Sequence, residues 1–173
     1  RPHFGCWRPR VQPILEQIEP DERHSFAWRR SQLDRFSFFW HVHPEAELTW
    51  IVSRRGTRYV GDDVADFREG DLVLLAPTVP HTWSSPAGGP GRVESVYVQF
   101  LPECSGATFL AQPELRAVRR LLERASVGLR FTGRITAEAS ESLLAMESAK
   151  PLQRMLRLRE LLDRMAHTRS TRP

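Results

Sequence analysis

Four side chains in one stretch of this sequence have types and spacing that could serve a single site: His41, His43, Glu47 and His81. The first three form an H-x-H-x3-E cluster, and the fourth follows 34 residues later, after a Gly-Asp turn, an apolar run and Pro-x2-Pro-His. Side chains alternate faces along an extended strand, so His41 and His43 point the same way. Pro44 lacks an amide donor and disfavours helix, so it ends that strand and starts a turn. Glu47 then opens the strand E-L-T-W-I-V, and an antiparallel return would bring its carboxylate close to both imidazoles. Three imidazoles and a carboxylate suit Zn, Ni, Fe, Mn or Cu. The same groups could instead hydrogen-bond a polar small molecule in a pocket. A single histidine beside a strand is usually structural. Two at i and i+2, with a carboxylate after a turn and a Pro-His further on, point to a shared site. Glu45 is a rival for Glu47, but it lies in the turn, where a carboxylate is solvated.

Other residues could contribute to such a site. Trp40, Trp50 and Trp83 could stack on a ligand, although large aromatic side chains are more often core. Ser95 and Tyr97 share one face of a strand from Val93 to Phe100, with Val96 and Val98 on the other. That polar face looks either to a cavity or to solvent.

The elements that must position these groups are short. Pro13 to Pro20 holds a possible strand between prolines. Ser25 to Arg30 and Phe36 to Val42 read as strands rich in Phe and Trp, with a polar turn at 32–35. Leu48 to Ser53, Thr57 to Val60, Val64 to Phe67, Leu72 to Ala76 and Val93 to Phe100 follow, separated by Gly- and Asp-containing turns. Pro77 to Pro80 is a loop delivering His81, and Ser84 to Gly91 is a flexible loop. Eight or nine short strands with a turn about every ten residues argue for an all-β sandwich or barrel. After Pro102 the pattern changes. Pro113 suits a first helical turn, and Leu115, Val118, Leu122 and Ala125 recur at three- and four-residue steps. Gly128 stops this helix and 128–133 is a connector. Thr136 is a candidate N-cap for a helix through Met146. Pro151 begins the last helix, 151–166, whose Leu152, Met155, Leu156, Leu158, Leu161, Leu162 and Met165 give it too much apolar surface to stand alone. It must pack on the barrel, on the other helices or on a second copy of the chain.

Composition narrows the classes. The chain has 173 residues, 40% of them hydrophobic, which suits one folded domain of ordinary size. No run approaches the roughly 18 apolar residues of a membrane span. The net charge is +4 and the isoelectric point about 9.8. The basic residues are nevertheless almost all arginines spread along the chain, Lys150 being the one lysine. No basic cluster with interleaved aromatics is present, which argues against nucleic-acid binding by this segment. Cys6 and Cys104 are isolated thiols outside any C-x2-C motif, and with no apolar signal segment they fit a reducing, cytoplasmic setting. The sequence begins at Arg1 and not at methionine, as a trimmed chain would, and its ending H-T-R-S-T-R-P reads as a linker cut short.

The stretches H-V-H-P-E-A-E-L and G-D-L-V-L-L-A-P-T-V-P-H-T-W resemble the two cupin motifs. Taken with F-S-F-F-W before the first, R-Y-V-G-D between them and V-Q-F after, the pattern resembles the N-terminal sensor domain of AraC-type transcription regulators. The match is close over about Phe36 to Phe100, and the helical tail to about His167 is similar in layout. The resemblance implies a mainly β fold: a cupin-type double-stranded β-helix barrel followed by an α-helical dimerisation segment. It divides the chain into an arm and first strand at 1–24, the barrel at 25–102, the helical segment at 103–167 and the start of a linker at 168–173. It further implies that the chain is no enzyme but binds a small effector through His41, His43, Glu47, His81, Trp83, Ser95 and Tyr97. A homodimer would form through helices 113–126 and 151–166, and the arm Arg1 to Arg10 would close over the ligand. DNA would be bound only by a C-terminal pair of helix-turn-helix units outside this sequence. His41, His43, Glu47 and His81 match the positions that carry metal in cupin enzymes, so a divalent ion (Zn, Ni, Fe or Mn) is an expected cofactor, and a metal-dependent dioxygenase or isomerase is the alternative function. In the regulators this set is often incomplete, so its completeness here is a departure. Arg54 is another, because the first cupin motif usually has glycine there.

Overall fold

Alternation along the strands builds two facing sheets, and the last third of the chain builds a helical layer. The computed structural model describes residues 12–19, 23–86, 92–103 and 109–171. The arm Arg1–Arg10 and both cysteines lie outside this set. The strands are β1 (Ile14–Leu15), β2 (Phe26–Leu33), β3 (His41–Val42), β4 (Ala46–Ser53), β5 (Gly56–Val60), β6 (Asp63–Phe67), β7 (Leu72–Leu75), β8 (His81–Ser84), β9 (Val93–Phe100), β10 (Leu129–Phe131) and β11 (Ser170–Thr171). The helices are α1 (Arg116–Arg124), α2 (Arg134–Ala145) and α3 (Pro151–Ala166). A five-stranded sheet runs β1-β3-β8-β5-β6, and a six-stranded sheet runs β11-β10-β7-β4-β9-β2. This is the mainly β, cupin-type architecture that the two motifs imply.

The odd-numbered residues of β4, Glu47, Thr49 and Ile51, face the space between the sheets. Leu48 lies on the other face, in the main core with Leu72, Leu74, Val96 and Val98 of the same sheet and Leu121, Leu143, Leu158 and Met165 of the helices. Both faces of this sheet are therefore covered, and each fully buried aliphatic side chain adds about 1.5–3 kcal/mol to the layer packing. Trp28 is bound to this layer by a hydrogen bond from its indole N–H to the Leu143 carbonyl, 2.8 Å.

Several segments differ from the expectations. Phe36 to Trp40 form no strand. Their backbone groups are satisfied by side chains and single bonds: Phe36 N–H donates to Ser85 Oγ (2.9 Å) and Phe39 N–H to Thr82 Oγ1 (3.0 Å). His81–Ser84 is the strand β8, and it is inserted between β3 and β5. The connector 128–133 contains β10, paired antiparallel with β7. Thr136 does not cap α2, since the N-cap is Gly133 at φ 81°. The Thr136 hydroxyl donates back to the Gly133 carbonyl at 2.7 Å. Finally, β4 does not return against β3. The chain turns at Pro44 and Glu45 and changes sheets, so Glu47 meets the histidines across the interior.

A buried charge cluster joins the two sheets. Asp71, of the Gly-Asp turn, receives Arg58 of β5 on Oδ2 and Arg130 of β10 on Oδ1, the latter at 2.7 Å. Arg58 is 2% exposed. Burial lowers its affinity for a proton from the usual arginine value, against the raising effect of Asp71.

Candidate metal centre and ligand cavity

β3 and β8 place His41 directly opposite His81 in register, and His43 follows at the end of β3. The ligand nitrogens of His41, His43 and His81 all lie within 4.8 Å of one another. Each imidazole is held from behind by a backbone carbonyl. His41 Nδ1 donates to Phe39 (2.7 Å), His43 Nδ1 to Glu45 (3.1 Å) and His81 Nδ1 to Val79 (2.8 Å). A proton fixed on Nδ1 leaves Nε2 as the inward-facing nitrogen, the tautomer that a metal-ligating histidine uses.

Glu47 reaches the cluster from the opposite sheet. Its Oε2 lies 3.2 Å from His43 Nε2 and 3.6 Å from His81 Nε2. Thr49 Oγ1 donates to Oε1 at 2.6 Å, and Gln99 Nε2 donates to Oε2 at 2.9 Å. Burial alone would raise the Glu47 pKa. The charge of His81 and the hydrogen bond from His43 outweigh it and hold the carboxyl well below its usual range. Burial would likewise lower His43, but the hydrogen bond and charge of Glu47 raise it. His41 is lowered, by burial first and then by the charge of His81. His43, Glu47 and His81 are each at most 5% exposed, and His81 Nε2 is buried without a hydrogen-bond partner. Three inward Nε2 atoms, the unpartnered one of His81 among them, and an ionised carboxylate are a donor set that fits a divalent metal once His43 gives up the proton it shares with Glu47.

A cavity of about 550 Å³ opens from this cluster, within the usual size of small-molecule sites. His41, Glu47 and Gln99 are among its lining residues. Ser95 and Tyr97, on the polar face of β9, also line it, as do Phe36, Phe39 and Trp83. The polar face of β9 thus looks to the cavity. Burial, then the charge of Glu47, pushes the Tyr97 hydroxyl up to about 12, so it stays a neutral donor and acceptor. Of the seven residues expected to bind ligand, His41, Glu47, Trp83, Ser95 and Tyr97 line this cavity, whereas His43 and His81 do not line it and lie against Glu47. Trp50 instead packs against the main core. Glu45 is not solvated. Its side chain is 14% exposed, with one oxygen 3.5 Å from His43 Nδ1, because the turn folds back on that ring.

Three contributors escape the motif. Gln99 pairs with Glu47 across β4 and β9, and its position two residues beyond Tyr97 on the same face was the available signal. Thr49 follows Glu47 at the same two-residue step. Glu16, beside β1, lies 3.3 Å from His41 Nε2, and nothing local in the sequence announces it.

A model of the AraC-like ligand binding domain matches residues 24–165. The chain belongs to that family. No curated protein matches the sequence. Among solved structures, apo ToxT K231A from Vibrio cholerae strain SCE256 matches with a TM-score of 0.56 at 9% identity, covering 82% of this chain and 54% of that one. ToxT from Vibrio cholerae O395 matches with a TM-score of 0.53 at 10% identity, covering 82% and 52%. The chain thus spans about half the length of the ToxT structures, and the likeness concerns the fold. A cupin 2 conserved barrel domain protein from Salinispora arenicola CNS-205 gives a TM-score of 0.41 at 18% identity over 51% of this chain and 73% of that one.

Proposed function

We propose that this AraC-like domain is the effector-sensing and dimerisation part of a cytoplasmic transcription regulator. In this assignment residues 25–102 form the sensing barrel and 103–167 the helical segment that joins two copies. The chain from 168 onward leads to a DNA-binding part outside this sequence. The observation that carries the assignment is the cavity itself, a space lined by both polar and aromatic side chains in a domain of a ligand-binding family. A small molecule would exchange hydrogen bonds with the Ser95 and Tyr97 hydroxyls and donate to the Glu47 carboxylate, while Phe36, Phe39 and Trp83 exclude water from its apolar parts. Coupling of about 1–3 kcal/mol between the filled cavity and the helices would suffice for a regulatory response.

A resident divalent metal is part of the proposal. His41, His43, His81 and Glu47 would hold it, and when bound it would act as a Lewis acid towards an oxygen donor in the cavity. The protein's own residues do the remaining work: carbonyls fix three Nδ1 protons, and Thr49 and Gln99 hold the Glu47 carboxylate. Zn²⁺ or Ni²⁺ should raise the thermal midpoint of the purified chain, and a chelator should reverse the rise. A library of sugars and small organic acids, followed by tryptophan fluorescence, to which Trp83 of the cavity contributes, should yield a binder that is released unchanged. His81→Ala should weaken that binder by tenfold or more with circular dichroism unaltered. Unchanged affinity would place the effector elsewhere.

The completeness of the ligand set favours one other function, a metal-dependent dioxygenase or isomerase. Turnover of a cavity ligand by the metal-loaded chain would establish it over the sensor.

A further inference from the structure

The loop between β7 and β8 holds a residue in a conformation that its side chain resists. Thr78 has φ 62°, where a β-branched residue is an outlier. Its side chain is exposed and makes no hydrogen bond among the described residues, so it does not account for the conformation. The backbone does. The Thr78 amide donates to the carbonyl of His43 at 2.9 Å. One residue further on, the carbonyl of Val79 accepts the Nδ1 proton of His81 at 2.8 Å. The root of the loop is also fixed, because the Ala76 amide donates to the carbonyl of Ala125, beyond the end of α1, at 3.0 Å. Val79 is 8% exposed, so the loop cannot swing outward without uncovering it. A right-handed or extended residue at 78 would rotate one of these two groups away from its histidine. Strain that persists because its surroundings over-determine it is a sign of a functional constraint.

We infer that Thr78 is a positioning residue for the imidazole cluster, its left-handed backbone setting the orientation of His43 and His81 about a shared metal ion. This rests on the metal assignment proposed above. It acts on two of the three imidazoles, since His41 takes its Nδ1 contact from Phe39 on another segment. It also ties their placement to the helical layer through Ala76 and Ala125.

Cobalt(II) is the probe, because its visible d–d bands report ligand geometry as well as occupancy. The full chain is titrated as wild type, Thr78→Gly and Thr78→Pro. Glycine adopts positive φ freely, so Thr78→Gly is expected to keep the wild-type bands and affinity and to raise the thermal midpoint. Proline removes the amide and fixes φ near −65°. Thr78→Pro is expected to shift the bands and weaken cobalt by 10–100-fold, the usual effect of losing an outer contact to a ligand. Wild-type bands and affinity in Thr78→Pro would overturn the inference. So would loss of the bands in Thr78→Gly, which would assign the effect to the side chain. If Thr78→Pro does not fold, amide exchange in the wild type decides. Zinc should slow exchange at the Thr78 amide, and an unchanged rate overturns the inference. A wild type with no cobalt bands and no zinc binding would overturn the metal assignment itself, and this inference with it.

Discussion

Glu47 is the residue on which most of the site's electrostatics turns. It is 5% exposed, yet burial, which would raise its pKa, is outweighed by His81 and His43, and it remains ionised well below its usual range. A carboxyl with a depressed folded-state pKa contributes stability that is fully present above its unfolded value, about 4.3. That contribution is lost as pH falls through the folded-state value. In the metal-free chain the thermal midpoint should therefore fall steadily as pH drops below about 4.3. Glu47→Gln should start lower, by about 1–3 kcal/mol for the lost buried partner, and show a flatter acid limb. Thermal melts between pH 3 and 7 in a chelating buffer, taken here as about the range in which carboxylates titrate, check this. Parallel limbs in the two proteins would mean that Glu47 is already protonated in the fold. His41, His43 and Glu47 were legible from a period of two and a proline within seven residues, and His81 from the Pro-His that follows 34 residues later. Glu16 was not, because its meeting with His41 depends on the parallel pairing of β1 with β3, which no local pattern encodes.

At the scale of elements, the segments hardest to read were those whose pairing is decided far away. β10 is three residues long and lies between two helices. It is a strand because the edge of β7 is open beside it, with Leu129 opposite Leu74 and Phe131 opposite Leu72. The strands with strict alternation, β4 and β9, were plain, since one face had to be buried. The Asp71 cluster pins such a weak element to the barrel: Arg130 of β10 and Arg58 of β5 converge on a carboxylate whose side chain is wholly buried. Replacing it removes the compensation for two guanidinium groups, so Asp71→Asn should destabilise the fold by about 3–5 kcal/mol, measured by urea unfolding. A change below about 1 kcal/mol would mean that water already solvates both arginines. The turn after β4 should respond the other way. Arg54 stands at φ 82°, where the resemblance expects glycine. Arg54→Gly should relieve left-handed strain and leave stability equal or up to about 1 kcal/mol higher, although it also gives up the contact that Arg54 makes.

At the scale of the whole molecule, the helical layer has one face on the barrel and, among the described residues, one face exposed. Leu158, Leu161, Leu162 and Met165 of α3 are buried in the main core. Leu152 and Leu156, one turn apart, are 62% and 53% exposed, and Leu144 of α2 is 39% exposed. A stripe at i and i+4 beside a well-packed core face is the arrangement a second copy would cover. Burying the exposed half of both leucines on each copy of a dimer would contribute about 3–6 kcal/mol, or roughly two to four decades in dissociation constant. Leu152→Glu combined with Leu156→Glu should therefore convert a dimer into a monomer in sedimentation at micromolar protein. The circular dichroism and cobalt affinity should stay as in the wild type, because neither residue touches the core or the imidazoles. If the double variant remains dimeric, α3 is not the interface and α1 becomes the surface to alter next. If it becomes monomeric and loses cobalt as well, the site and the interface are coupled through the helical layer. Ala76 and Ala125 provide a direct contact for such coupling, since they bind the β7–β8 loop to the end of α1.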